Sequence, residues 1–239
     1  MRQNLIFVHG FRGNGLGLKE LATKYFPTED YKCYILEVPP AGGKSLTEYT
    51  ANNYAKFVAD YIKKNKIKKP VLIGHSMGSI ICAAVAERYP ELIGDKLIFL
   101  SPISVKPAKF FAMLTPLTAI LPNKIIGYIS TKYMFIPKDK KLLKNTLKTT
   151  YLCGADYTTK KDVFKSAKFS SSCAIDDFNI KKDILFLSGE KDRLIPRQKT
   201  EAVARKYSAK TAYVKGTGHL LNYENPKETA TVIKRFLAR

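Results

Sequence analysis

The chain has 239 residues, 45% apolar and 26% charged, a globular composition with no apolar run long enough to span a bilayer. Its formal charge is +21, but the lysines are dispersed and no arginine cluster or nucleic-acid motif accompanies them, so no nucleic-acid partner is expected. Four cysteines (Cys33, Cys82, Cys153 and Cys173) form no CxxC pair, which argues against a zinc site or a disulfide framework and suits a reducing, cytoplasmic setting.

The opening "MRQNLIFVHGF" has no small-residue cleavage site, so residues 4–8 read as a buried strand rather than a signal peptide. The glycine-rich turn "HGFRGNG" follows, then helical spacing from Leu16 to Tyr25. Residues 32–38 predict a second strand, ended by Pro39 and Pro40, with Cys33 in the core. The stretch "SLTEYTANNYAKFVADYIKKN" predicts a helix entered through a capping box of Ser45 and Glu48, with Leu46, Tyr49, Tyr54, Phe57, Val58, Tyr61 and Ile62 at helical spacing. Residues 70–74 predict a third strand. Ser76 to Tyr89 then continue as an amphipathic helix closed by Pro90, with Cys82 in the core. Residues 96–100 predict a fourth strand, 183–188 a fifth and 210–214 a sixth, with helices over Arg197–Tyr207 and Pro226–Leu237. Strands alternating with helices at this spacing imply βαβ units, a parallel sheet and a layered α/β fold.

Residues 103–182 break the alternation. They carry fifteen lysines, no arginine, the prolines Pro107, Pro116, Pro122 and Pro137, and an apolar first half. A structureless loop of that length is anomalous, so a helical insertion is expected. It could be a subdomain burying its own core or a lid with an apolar underside facing a substrate.

Ser76 lies in Gly74-His75-Ser76-Met77-Gly78, where a strand must turn into a helix. A sharp turn there strains the serine backbone and lifts its hydroxyl clear of the sheet, and the flanking glycines avoid collisions. The helix N-terminus adds partial positive charge for a developing oxyanion. A serine hydroxyl needs a base, and the chain offers three histidines. His9 precedes the glycine-rich turn, and His75 should point away from Ser76. His219 lies in a loop after the last strand, among the carboxyl-end loops that form the ligand crevice of a parallel sheet. The base needs an acid. Asp192 follows the fifth strand, with Glu190 as fallback and Asp176 or Asp177 weaker; the end of the fourth strand, Leu100-Ser101-Pro102, offers no carboxylate. Backbone N–H groups of Met77 and Phe11 are the expected oxyanion donors. Arg12 reads as solvated, with an anion-binding role as the alternative.

Four stretches in this order, "VHGFRGN", "GHSMG", "GEKDRLIP" and "GTGHLLNYENP", resemble the α/β-hydrolase superfamily, in particular its compact esterase- and lipase-like members. The resemblance covers about residues 4–102 and 183–237 and follows the superfamily order of serine, acid, histidine. It implies a doubly wound, all-parallel six-stranded sheet ordered 2-1-3-4-5-6. The core is expected over 1–102 and 183–239, with a helical cap at 103–182. Ser76 is then nucleophile, Asp192 acid, His219 base, and Phe11 and Met77 the oxyanion donors. The implied function is hydrolysis of a carboxylic ester with a hydrophobic acyl or alcohol group, through an acyl-enzyme. A thioesterase, a C–C bond hydrolase, or a weakly catalytic binding protein of the same fold stays open. No cofactor or metal is called for. Beyond a small hydrophobic ester-type substrate, weak peripheral contact with an anionic membrane is the one partner the basic charge suggests.

Overall fold

The computed structural model of the chain describes residues 2–106, 123–136, 139–147 and 159–239. Six parallel strands form one sheet in the order β2-β1-β3-β4-β5-β6. They are β1 (Gln3–Val8), β2 (Tyr31–Leu36), β3 (Val71–His75), β4 (Lys96–Leu100), β5 (Asp183–Gly189) and β6 (Lys210–Val214). The order is the one the resemblance implied. Every residue of β3 is buried, as expected of a central strand covered on both faces, and this is why it reads as a continuous apolar run.

Side-chain alternation along the strands divides the core in two. Ile6, Val8, Leu72, Phe99 and Phe186 face one side, packed with α2 (Ala51–Lys64), α3 (Met77–Arg88) and α7 (Arg197–Lys206). Leu5, Phe7, Ile73, Leu100 and Leu187 face the other, packed with α1 (Leu16–Lys24) and α9 (Pro226–Leu237). Helices therefore cover both faces.

Three expectations need correction. The second helix does not start at the Ser45–Glu48 box. It starts at Ala51, where Thr50 is extended and its hydroxyl accepts the Asn53 N–H. Tyr49 and Tyr54, just before the cap and in the first turn, pack edge-on with centroids 5.9 Å apart, a hydrophobic staple that fixes this entry point. The segment after Ser76 is not amphipathic either: α3 is buried from Met77 through Ala86, because sheet and neighbouring helices enclose it on all sides. Cys33 is only half-buried, because β2 is an edge strand, whereas Cys82 is fully buried; Cys33, Cys82 and Cys173 are free thiols.

Between β4 and β5 lie α4 (Asn123–Met134), α5 (Lys140–Leu147) and α6 (Lys160–Ser172). Pro107, Pro116, Pro122, Pro137, Cys153 and much of the apolar first half of this insertion lie outside the described residues. The two ends of the insertion pair with each other through Ile175 N–H to Ile103 O and Asp176 N–H to Ser104 O. Helix α6 docks on the core beside the turn at Ser76. Ser166 Oγ lies 3.1 Å from Tyr54 Oη and 3.6 Å from Met77 Sδ, and the Tyr54 and Phe169 rings sit 4.8 Å apart. Among the described residues no helix is long and apolar enough to cross a membrane.

Candidate active site

Ser76 forms the corner between β3 and α3, with φ 52° and ψ −119°. A non-glycine residue there stores strain that only a well-packed frame sustains. The frame is visible: a side chain on Gly74 would collide with the Gly78 backbone, and one on Gly78 with the Val8 carbonyl. Ser76 N–H donates to Leu100 O at 3.0 Å, tying the corner to β4.

His219 follows β6 in a loop that closes on this corner. Its Nε2 lies 3.0 Å from Ser76 Oγ, and its Nδ1 lies 2.9 Å from Asp192 Oδ2. The side chains of His219 and Asp192 are 3% and 4% exposed. A carboxylate only accepts, so the ring proton belongs on Nδ1 and the Nε2 lone pair faces the serine. Burial works to raise the Asp192 carboxyl. The charge and hydrogen bond of His219, with N–H groups from Leu194 and Ile195, outweigh it and hold the group below the ordinary aspartate value. Of the other acids considered, Glu190 accepts the Gly216 N–H, Asp176 pairs with Lys206 and Asp177 with Lys106. The structure therefore brings Ser76, His219 and Asp192 together and leaves the fallback acids elsewhere.

The turn after β1 packs against the corner, since a Cβ on Gly10 would come within 2.9 Å of Ser76 Cβ. His9 holds this turn. Its Nε2 accepts the Val38 N–H at 3.0 Å, so its Nδ1–H donates to Gly10 O at 2.9 Å. Gly13 N–H donates to the same carbonyl at 3.0 Å. A trans peptide is planar, so fixing the Gly10 carbonyl also fixes the direction of the Phe11 N–H. Phe11 itself packs with the cluster that holds Met77 and Ile103. Arg12 departs from expectation: it is 5% exposed, not solvated, because its left-handed backbone (φ 55°) turns it into the fold beside the Phe11 ring.

Two residues escaped the sequence reading. His75, read only as pointing away, donates its Nε2–H to the His219 carbonyl at 2.9 Å. Glu224, five residues beyond His219, sends a buried carboxylate back into the same loop. A carboxylate five residues after the loop histidine was the one signal available.

His75 also sets an acid-stability expectation. Burial first, and then the neighbouring His219, push its pKa from 6.5 down to about 3. Between those values the unfolded ring binds a proton that the native ring refuses, so stability is present above pH 6.5 and is lost as pH falls toward 3. The slope should approach about 1.4 kcal/mol per pH unit. In urea unfolding, His75→Gln should lose less stability than wild type on acidification, and equal losses would refute the account.

The family model described as serine aminopeptidase, S33, matches residues 1–226. The chain belongs to this α/β-hydrolase family. A Mycoplasma pneumoniae protein provisionally named esterase/lipase 2 is 26% identical over 99% of this chain and 89% of its own. The uncharacterized hydrolase YugF of Bacillus subtilis is 24% identical over 99% and 90%. Among solved structures, a bromoperoxidase from Bacillus anthracis superposes with a TM-score of 0.87 at 17% identity, over 100% of this chain and 93% of that one; at that identity the likeness concerns the fold. The family member described here is an esterase- and lipase-like hydrolase.

Proposed function

We propose that this α/β-hydrolase cleaves carboxylic esters bearing a hydrophobic group, with Ser76 as nucleophile, His219 as base and Asp192 as acid. The reading rests on one observation: Ser76 Oγ, at a strained corner, lies 3.0 Å from His219 Nε2, whose other nitrogen lies 2.9 Å from a buried carboxylate. Ser76 Oγ attacks the ester carbonyl as His219 Nε2 takes its proton. The oxyanion is held by the N–H groups of Phe11 and Met77, and the positive end of α3 adds to that field. Collapse expels the alcohol, which receives the proton from His219. Water, deprotonated by His219, then attacks the acyl-enzyme and releases the acid and free Ser76. Asp192 keeps its charge throughout and stabilises the imidazolium.

In this reading residues 103–182 form the cap over the acyl group, and the apolar side chains of Phe11 and Met77 border the reacting carbonyl. A kinetic panel tests it: p-nitrophenyl esters of increasing acyl length, acyl-CoAs, vinylogous diketones and aminoacyl anilides. The expected result is highest kcat/KM for oxygen esters, rising with acyl length beyond acetate, at about 1 kcal/mol or roughly fivefold per buried methylene until the pocket fills. Higher kcat/KM for thioesters, diketones or anilides would overturn the ester assignment and keep the nucleophile.

A further inference from the structure

The N–H groups of Gly218, His219 and Leu220 all have partners, and Glu224 accepts two of them. Glu224 Oε2 accepts the Gly218 N–H at 2.9 Å, and its Oε1 accepts the Leu220 N–H at 3.1 Å. These are the amides immediately before and after the histidine. The same Oε2 accepts a third N–H, that of Ile136, at 3.1 Å. Ile136 stands just beyond the end of α4, in the insertion between β4 and β5. The histidine's own N–H donates to Met134 O at 3.2 Å, also from the end of α4, and its carbonyl accepts from His75. Gly218 has to be glycine for this junction to close, because a Cβ there would collide with the Met134 carbonyl and the Ile136 side chain.

A carboxylate is suited to this place. It has acceptor capacity on both oxygens and no donor, so it takes three converging N–H groups without conflict. Glu224 is 9% exposed and sits in α8 (Leu221–Glu224), a single turn that directly follows the loop. The carboxylate therefore reads as a clamp across two pieces of chain that the sequence separates by 88 positions. With the backbone of 218–220 held, His219 keeps only its side-chain torsions, and those are fixed by Asp192 and Ser76.

We propose that Glu224 is a positioning residue for His219, and that by joining the histidine loop to the end of α4 it makes the insertion part of the support of the catalytic base. This rests on the reading of His219 as that base. The carboxylate does not touch the reacting atoms; it acts through where it holds the imidazole. Displacement of a base by about 1 Å is enough to cost on the order of 100-fold in rate, so a loosened loop should be read in turnover and not in substrate binding.

The test uses the full chain, with a p-nitrophenyl ester as substrate and circular dichroism as the check of folding. Glu224→Gln replaces one acceptor oxygen by a donor that opposes an N–H group. It should lower kcat about 10- to 100-fold with KM changed by less than about twofold. Glu224→Asp keeps the charge but withdraws it by one methylene, and should lie between wild type and Glu224→Gln; it carries the test if the glutamine variant does not fold. The deciding measurement is the double variant. In a His219→Ala background, Glu224→Gln should change the residual rate by less than about twofold, since the group it acts through is gone. A folded Glu224→Gln enzyme with wild-type kcat, a loss confined to KM, or the same fold-loss in the His219→Ala background would each overturn the proposal. His219→Ala with wild-type turnover would instead overturn the reading of His219 as base. Inactive His219→Ala beside fully active Glu224→Gln would overturn the positioning role alone.

Discussion

Ser76→Ala is expected to abolish ester turnover, with a fall in kcat on the order of 10⁴-fold or more, and to abolish labelling by a fluorophosphonate. Without Oγ no covalent acyl-enzyme forms, and what survives is the rate that binding and the N–H donors alone provide to attack by water. The substitution removes one oxygen at a half-buried position, where its partner is His219 Nε2 at 3.0 Å. The fold should therefore be retained, and the strained corner offers a second readout. Its φ of 52° is imposed by neighbours and not by the hydroxyl, so thermal unfolding of the variant should stay within a few degrees of wild type, corresponding to about 1 kcal/mol or less. Turnover within tenfold of wild type, in protein free of the parent enzyme, would exclude Ser76 as nucleophile.

Asp192→Asn should be nearly as damaging, about 10⁴-fold in kcat, for a reason that the local hydrogen bonds make specific. Asp192 Oδ1 accepts N–H groups from Leu194 and Ile195, at 2.9 and 3.4 Å, while Oδ2 faces His219 Nδ1 at 2.9 Å. An asparagine has one acceptor, and the two amides claim it. Its NH₂ group is then turned toward the histidine, which must accept at Nδ1 and carry its proton on Nε2. An Nε2–H cannot take a proton from Ser76. Shape and volume are conserved, so a loss of rate in a folded variant reports the tautomer and not the packing. Wild-type turnover in Asp192→Asn would assign the acid role to another group.

The sheet order followed from the family resemblance, whereas the strand limits to within a residue or two and the placement of Ser76, Asp192 and His219 at strand ends were legible in the chain. Each is written in local pattern: apolar runs for doubly covered strands, GHSMG at a strand-to-helix corner, an acid and a histidine just after the fifth and sixth strands. The start of α2 was not legible, because two helix-entry signals compete there and the Tyr49–Tyr54 contact that decides between them exists only once the chain has turned. The burial of Arg12 was hidden for a similar reason. Nothing in "HGFRGNG" states that the arginine backbone is left-handed.

Sequence by itself therefore determined the chemistry on offer: which serine, histidine and aspartate stand at strand ends, and in what order, because those are properties of short segments and their periodicity. Tertiary structure alone decided which groups hold them. His75 reaches the His219 carbonyl across 144 positions, and Glu224 joins Ile136 to Gly218 and Leu220. Such contacts depend on where separate elements end in space, and buried N–H and C=O groups must find partners there whatever their distance along the chain.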